Sequence, residues 1–137
     1  MTVVDYRKPL PAPDPDSRPF WDSAREHRLR VPKCGACGRF FLPAGPYCRH
    51  CWSDQVTWTE VTGRGALYSW VIVHQAYDPS FDADLPYNIA IVELDEGPRL
   101  LTTVVGIPND ALRAEQRVRI VYEDVTPEWT LVKFARE

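Results

Sequence analysis

The sequence predicts a mainly β protein in three successive parts: a short N-terminal helix, a small module organised by four cysteines, and a five-stranded β-barrel. Three observations carry this prediction. The cysteines form two pairs within residues 34–51, β-branched and aromatic residues dominate five runs after residue 58, and 13 prolines in 137 residues leave little room for long helices. Hydrophobic residues make up 45% of the chain, which is enough for a packed core.

Residues 1–17 are predicted to form an extended, proline-rich tail, because four prolines alternate there with acidic and small residues. Two interpretations remain open, a disordered tail and a tail that becomes ordered along a partner. Residues 18–30 are predicted to form a helix that Ser17 can cap and that has Pro19 in its first turn. Phe20 and Trp21 are large apolar groups for such a short helix, so they must pack on the cysteine module, the barrel or another chain.

Two Cys-x2-Cys pairs in residues 31–57 predict a tetrahedral metal site. Cys34 and Cys37 enclose Gly-Ala, Cys48 and Cys51 enclose Arg-His, and ten residues separate the pairs. Zinc binds four thiolates in this way at about 2.3 Å. Glycines 35 and 38 are expected to supply positive φ at the first pair, whereas His50 or Trp52 must do so at the second. The spacing therefore predicts a zinc ribbon that holds one ion.

The same four ligands indicate the role of the ion. Four cysteines close the coordination sphere and leave no position for water or substrate, so the zinc is expected to be structural. Iron in a rubredoxin-like electron carrier is the alternative, because it accepts the same ligands. Most of this chain lies outside the cysteine module, which disfavours that alternative. His50 is expected to be a surface residue and not a ligand.

Five β runs follow in residues 58–137, with a short helical segment at 108–115 between the third and the fourth. The runs are residues 65–76, 87–94, 99–105, 118–125 and 130–135. This order of elements is that of an OB-fold barrel. In the first run Tyr68, Trp70, Ile72 and His74 alternate along the chain, which predicts that the four share one face of the barrel.

Charge is distributed unevenly along the chain. Residues 18–51 contain seven basic and two acidic residues, whereas residues 52–137 contain seven basic and fourteen acidic ones. An anion would therefore meet the first half of the protein. The alternative is a set of solvated arginines that also offset the negative metal–thiolate centre. Phosphate-cradling glycine motifs and local nucleophile–base pairs are absent from the sequence.

The location of the protein is predicted from what its sequence lacks. No apolar run approaches the roughly 20 residues of a membrane helix. Residues 1–16 have neither the basic start nor the apolar stretch of a secretion signal. A cytoplasmic protein without a membrane partner is therefore expected, and in the cytosol clustered cysteines bind metal more often than they form disulfides.

An ordered series of motifs runs along the chain: the Phe20-Trp21 helix, Cys34-Gly-Ala-Cys-Gly38, Leu42-Pro43, Cys48-Arg-His-Cys51, Gly65-Ala-Leu-Tyr-Ser69 and Pro86-Tyr-Asn-Ile-Ala-Ile-Val-Glu-Leu-Asp-Glu-Gly97. With these motifs in this order the chain resembles the DUF35 family, OB-fold acyl-CoA-associated proteins with an N-terminal rubredoxin-like zinc ribbon. The resemblance covers residues 17–135. One departure is Glu115-Gln-Arg-Val118, where the family often has a glycine.

The resemblance implies a non-catalytic accessory subunit that binds a thiolase-superfamily enzyme, either a thiolase or a lipid-transfer-protein-type aldolase. Such enzymes act on acyl-CoA thioesters, including those of steroid side chains and aromatic acids, and hydratases are also partners in the family. A hetero-oligomer with two copies of each chain is expected, with the CoA thioester at or near the interface. The subunit would support the fold and the CoA site of its partner.

Particular residues suit these roles. The CoA phosphates would meet a basic surface formed by Arg28, Arg30, Lys33, Arg39 and Arg49. Phe20, Trp21 and Phe81 are candidate anchors at the partner interface. Two other functions are weighed against this one. Zinc ribbons and OB-folds also bind single-stranded nucleic acid, although the acidic barrel makes nucleic acid an unlikely ligand. A stand-alone acyl-CoA-binding protein is the other alternative.

Overall fold

The computed structural model describes residues 6–137, so the first five residues of the predicted tail lie outside it. The prediction of a mainly β fold is confirmed. The described elements, in chain order, are α1 (Arg18–Arg25), β1 (Arg30–Cys34), β2 (Val56–Glu60), β3 (Arg64–Val73), β4 (Tyr87–Leu94), β5 (Arg99–Thr102), β6 (Arg117–Asp124) and β7 (Thr130–Arg136), with short 3-10 turns at Pro79–Asp84 and Asn109–Ala111. None of the described helices is long and apolar enough to cross a membrane.

Helix α1 is shorter than the predicted helix over residues 18–30. Ser17 occupies the N-cap position, but its side chain caps nothing there. At the other end His27 adopts a left-handed conformation with φ of 58°. The N–H of His27 bonds to the carbonyl of Ala24, and the N–H of Arg28 bonds to that of Ser23. This is a Schellman motif with histidine in the position that glycine usually takes, and it ends the helix at Arg25.

Strands β1 and β2 form the antiparallel hairpin of the ribbon. Their register runs from Arg30 opposite Glu60 to Cys34 opposite Val56. The hairpin therefore begins inside the residues predicted as helix and continues past residue 57. The end of the hairpin at Cys34 carries the first cysteine pair. The other end, at Glu60, leads into the barrel through residues 61–63.

The remaining five strands form one curled antiparallel sheet in the order β5-β4-β3-β6-β7. The edge strands approach each other where Val104 forms a parallel bridge with Phe134, and the N–H of Val105 donates to the carbonyl of Phe134 at 2.8 Å. The strand order and this partial closure agree with an OB-fold. Of the helical segment predicted at 108–115, only the turn at Asn109–Ala111 is helical.

A β-bulge at Tyr68 changes which residues of β3 face the core. Leu67 lies opposite Val92 and Ser69 opposite Ile91, so Tyr68 is the extra residue in the pairing with β4. Tyr68 is consequently exposed, whereas Trp70 and Ile72 pack against a buried cluster that contains Leu67. The prediction that Tyr68 shares a face with Trp70 and Ile72 is therefore wrong, because strict alternation does not continue through a bulge.

The ribbon and the barrel share one hydrophobic core. Its buried members come from α1, from the residues around the ribbon hairpin and from strands β4, β6 and β7: Phe20, Leu29, Val31, Val61, Val92, Leu94, Val118 and Phe134. Helix α1 contributes Phe20 to this cluster. Helix α1 therefore packs on both the barrel and the ribbon of its own chain.

A left-handed residue precedes β6. Glu115 has φ of 64°, and its N–H donates to the carbonyl of Leu67 at 2.7 Å. Glycine adopts this conformation without steric cost, whereas glutamate does not. The position lies in the stretch where the family resemblance leads us to expect a glycine, and this chain has a glutamate in the left-handed conformation there.

The described part of the proline-rich tail lies on the barrel. Lys8 forms an ion pair with Asp84 at 2.7 Å, and its ammonium group lies 5.6 Å from the centre of the Phe81 ring. Residues 6–14 have no regular secondary structure. They border a cleft of about 690 Å³ whose other wall includes Tyr87 and Asn88 of β4.

Candidate metal centre

The four cysteine sulfur atoms converge at one end of the ribbon, all within 4.8 Å of one another. The Sγ atoms of Cys34 and Cys51 are 3.5 Å apart, and those of Cys37 and Cys48 are 3.7 Å apart. A tetrahedral zinc ion with bonds of about 2.3 Å places its sulfur ligands about 3.8 Å apart. The sulfur atoms therefore already have the spacing of a zinc-bound set.

The two cysteine pairs use the same backbone turn. The N–H of Gly38 donates to the carbonyl of Cys34, and the N–H of Trp52 donates to that of Cys48, both at 2.9 Å. Gly38 has φ of 77° and Trp52 has φ of 65°. Trp52 is thus the residue that adopts the left-handed conformation in the second turn. Gly35 is not left-handed, so the prediction that both glycines of the first pair have positive φ is wrong for Gly35.

Backbone N–H groups point at the inner sulfur atom of each pair. Those of Cys37 and Ala36 lie 3.4 and 3.3 Å from the Cys34 sulfur and lower the pKa of that thiol to about 6. The N–H of His50 lies 3.3 Å from the Cys48 sulfur. Such donors stabilise the thiolate, which is the form that binds a metal. The donor set, its spacing and its hydrogen bonds all fit one structural zinc ion.

A small apolar cluster supports the metal centre. Cys34 and Cys48 are buried with Phe41, and Val56 packs against them, whereas Cys37 and Cys51 are exposed. The ribbon has few other buried residues. Its stability therefore depends on the metal, as is usual for modules of this size.

Metal analysis of the purified chain checks the identity of the ion. We expect one zinc per chain and a colourless protein, because zinc has a filled d shell. A red protein that contains iron and no zinc would contradict this expectation.

The predicted basic residues are not gathered in one place. Arg39 and Arg49 line a cleft of about 810 Å³ between the ribbon and the barrel, together with Arg99 and Glu93 of the barrel. Arg28 pairs with Glu60 across the hairpin at 2.9 Å, and Arg30 pairs with Glu26 at 3.2 Å. Lys33 lies over the Phe40 ring. Sequence reasoning missed Arg99 because it lies 50 residues beyond Arg49, and only the fold brings the two together.

The three predicted interface residues have different environments. Phe20 is 9% exposed and lies in the shared core, so its own chain already covers most of its surface. Trp21 lies at the rim, edge-on to Trp129 with ring centres 6.2 Å apart. Phe81 packs on Tyr87 and lines the cleft beside the proline-rich tail. The role of these residues at a partner interface stays a prediction.

Two family models match the chain in succession. The model described as "ChsH2, rubredoxin-like zinc ribbon domain" matches residues 21–57, and the one described as "ChsH2, C-terminal OB-fold domain" matches residues 58–123. Together they cover the second half of α1, the metal centre and the barrel as far as β6.

Several named proteins are similar to this chain. A Thermomonospora curvata protein named "Probable enoyl-CoA hydratase alpha subunit" is 36% identical over 127 residues, which is 93% of this chain and 39% of that protein. The chain thus spans about two fifths of that relative. A Pyrococcus furiosus "DUF35 domain-containing scaffold protein" is 31% identical, with 74% of each chain covered. The Thauera aromatica "Benzoylsuccinyl-CoA thiolase subunit BbsA" is 26% identical, with 83% of this chain and 80% of that one covered.

Among solved structures, a chain of the "Ltp2-ChsH2(DUF35) aldolase" superposes with a TM-score of 0.83 and 36% identity, over 92% of this chain and 98% of that chain. The agreement therefore includes the ribbon, the barrel and their mutual arrangement. The four converging cysteines, the curled sheet, the family models and these relatives lead to one conclusion: the chain belongs to the DUF35 family.

Proposed function

We propose that this chain is the accessory subunit of a thiolase-superfamily enzyme, a thiolase or an aldolase, that acts on acyl-CoA thioesters. The observation that carries the proposal is the superposition on a chain of the Ltp2-ChsH2(DUF35) aldolase, which covers 98% of that chain. A likeness over the whole chain supports the same kind of role, because the surfaces of both parts are then available for equivalent contacts.

The relatives support the class of substrate and the non-catalytic role. Two of them are named for CoA thioesters, and another is named a scaffold protein. The four cysteines of this chain form a closed site that supports a fold and leaves no ligand position for a substrate. In this proposal the reaction takes place on the partner.

The cleft between ribbon and barrel is the place where this subunit would meet the CoA phosphates. Arg39 and Arg49 line it, and the arginine fork suits phosphate oxygens, whereas Arg99 in the same cleft is paired with Glu93. Of the five basic residues expected from the sequence, Arg39 and Arg49 are the two that we keep for this role. Arg28 and Arg30 are already paired with glutamates.

Co-expression tests the proposal. The tagged full chain is co-expressed with a candidate thiolase-superfamily enzyme, and we expect the two to co-elute at equal stoichiometry with a mass that fits two copies of each. Acyl-CoA turnover, assayed first with an aromatic acyl-CoA because of the benzoylsuccinyl-CoA relative, should require both chains. An enzyme that is equally soluble and active alone would refute the accessory role.

A further inference from the structure

The middle of strand β4, residues 89–92, is apolar on both faces. Asn88, Ala90, Val92 and Leu94 point into the core and are buried. The alternate residues Ile89 and Ile91 point outward and are also aliphatic. A strand that is apolar on both faces is typical of sheets covered on both sides. In this chain the second side faces solvent.

Cross-strand pairing gathers further apolar residues around these two. Val71 of β3 lies opposite Ile89, and Leu101 of β5 lies opposite Ile91. Tyr68, displaced by the bulge, lies next to them. Exposure is 58% for Val71, 37% for Ile89, 69% for Leu101 and 50% for Tyr68. We call these five residues (Tyr68, Val71, Ile89, Ile91 and Leu101) the outer apolar face.

The charges beside this face are paired or lie on other strands. Arg99 forms an ion pair with Glu93 at 3.1 Å, and its guanidinium lies 3.8 Å from the centre of the Tyr68 ring. Because the charges of Arg99 and Glu93 offset each other, this ion pair forms a neutral rim beside the face. On the outer side of β6, by contrast, Arg119 and Glu123 alternate with core residues. The sheet is therefore divided into an apolar half and a charged half. Contiguous exposed apolar surface of this kind marks an interaction site.

An apolar cleft of about 300 Å³ adjoins the face at Leu101. Trp21 of α1, Leu100 and Leu101 of β5, and Leu131 and Val132 of β7 are among its walls. A flat apolar face with one adjacent recess can receive a complementary protein surface and one projecting side chain. Anchors that fill such pockets supply most of the binding energy at interfaces.

We propose that the outer apolar face is the surface on which this chain docks onto its enzyme subunit, an inference that rests on the proposed function. The centre of the face has no free charge, so it matches an apolar protein surface and not a nucleic acid, whose phosphates require cations. Stable hetero-complexes have apolar interface cores with polar rims, and the Glu93–Arg99 pair forms such a rim here. The names of two relatives, a scaffold protein and a thiolase subunit, indicate that the partner is an enzyme chain.

Charge substitutions within the face test this assignment. Leu101→Glu and Val71→Glu each place a carboxylate within the face at an exposed strand position, one on each side of β4. The matched control is Arg119→Glu, which places the same group on the charged half of the same sheet. Each full-length variant is titrated with the thiolase-superfamily enzyme that is used in the co-expression test. Zinc content and melting temperature are measured in parallel.

We expect Leu101→Glu and Val71→Glu to weaken binding at least about 100-fold while zinc content is unchanged, and Arg119→Glu to bind within about threefold of wild type. Wild-type affinity in both face variants would overturn the assignment and leave the proposed function standing. A wild-type chain that does not bind the enzyme would overturn both. Variants that lose only self-association, and bind the enzyme normally, would assign the face to a second copy and overturn the proposal.

Discussion

Replacing Cys48 with serine is expected to abolish zinc binding and to unfold the ribbon. Cys48 is buried at the metal centre, with its sulfur 3.7 Å from the Cys37 sulfur. The Cys48 sulfur accepts a hydrogen bond from the N–H of His50. Structural zinc in small modules contributes roughly 10–16 kcal/mol of folding free energy, and a serine hydroxyl does not replace a thiolate ligand. We expect less than about a tenth of an equivalent of zinc to remain, measured by metal analysis after gel filtration.

The matched control for this variant is His50→Ala, in the same turn. His50 provides its backbone N–H and not its side chain to the centre, so zinc content should be unchanged. The complex with the enzyme should be lost in Cys48→Ser, and activity should fail only for that reason. A Cys48→Ser complex that assembles normally and yet is inactive would contradict a purely structural role for the zinc.

Replacing Asn88 with alanine is expected to destabilise the barrel by about 2–4 kcal/mol. Asn88 is 4% exposed. Its Nδ2 donates to the carbonyl of Val104 at 2.9 Å, and its Oδ1 accepts from the N–H of Val104 at 2.8 Å and from the hydroxyl of Thr103 at 3.1 Å. Alanine would leave both backbone groups of the buried Val104 without their partner. Urea unfolding followed by tryptophan fluorescence measures the loss.

Asn109→Ala provides the comparison for Asn88. Asn109 accepts one hydrogen bond from Asn88 and donates one to the carbonyl of Pro86, but it is half-buried, so water can replace these partners. We expect its loss to cost about 0.5–1.5 kcal/mol. Equal destabilisation in the two variants would contradict the view that Asn88 satisfies buried backbone groups.

The metal centre could be predicted because all of its determinants are local. The cysteines lie within 18 residues, from Cys34 to Cys51, and each pair needs only a tight turn to direct two sulfur atoms at one point. The order of the β runs was informative for a similar reason, since strands and their turns have short-range signals. The cysteine turns and the order of the β runs therefore do not depend on how the strands pack against one another.

Other features depended on contacts between distant residues. His27 ends α1 in a conformation that glycine usually takes, and its ring stacks on Tyr122 and bonds to Asp124 at 2.9 Å, almost 100 residues away. The outer apolar face depends on the register of three strands and on the bulge at Tyr68. A one-residue change of register exchanges the two faces of a strand, so alternation alone could not locate it.

The shared core has a consequence for modular engineering of this family. The two family models meet at residues 57 and 58, yet Leu29 and Val31 pack in one cluster with Val61, Val92 and Phe134 across that point. A chimera that joins this ribbon to another member's barrel would therefore combine core residues whose shapes are not matched to each other. Exchange should succeed only when the core residues that contact one another in the ribbon and the barrel are transferred together.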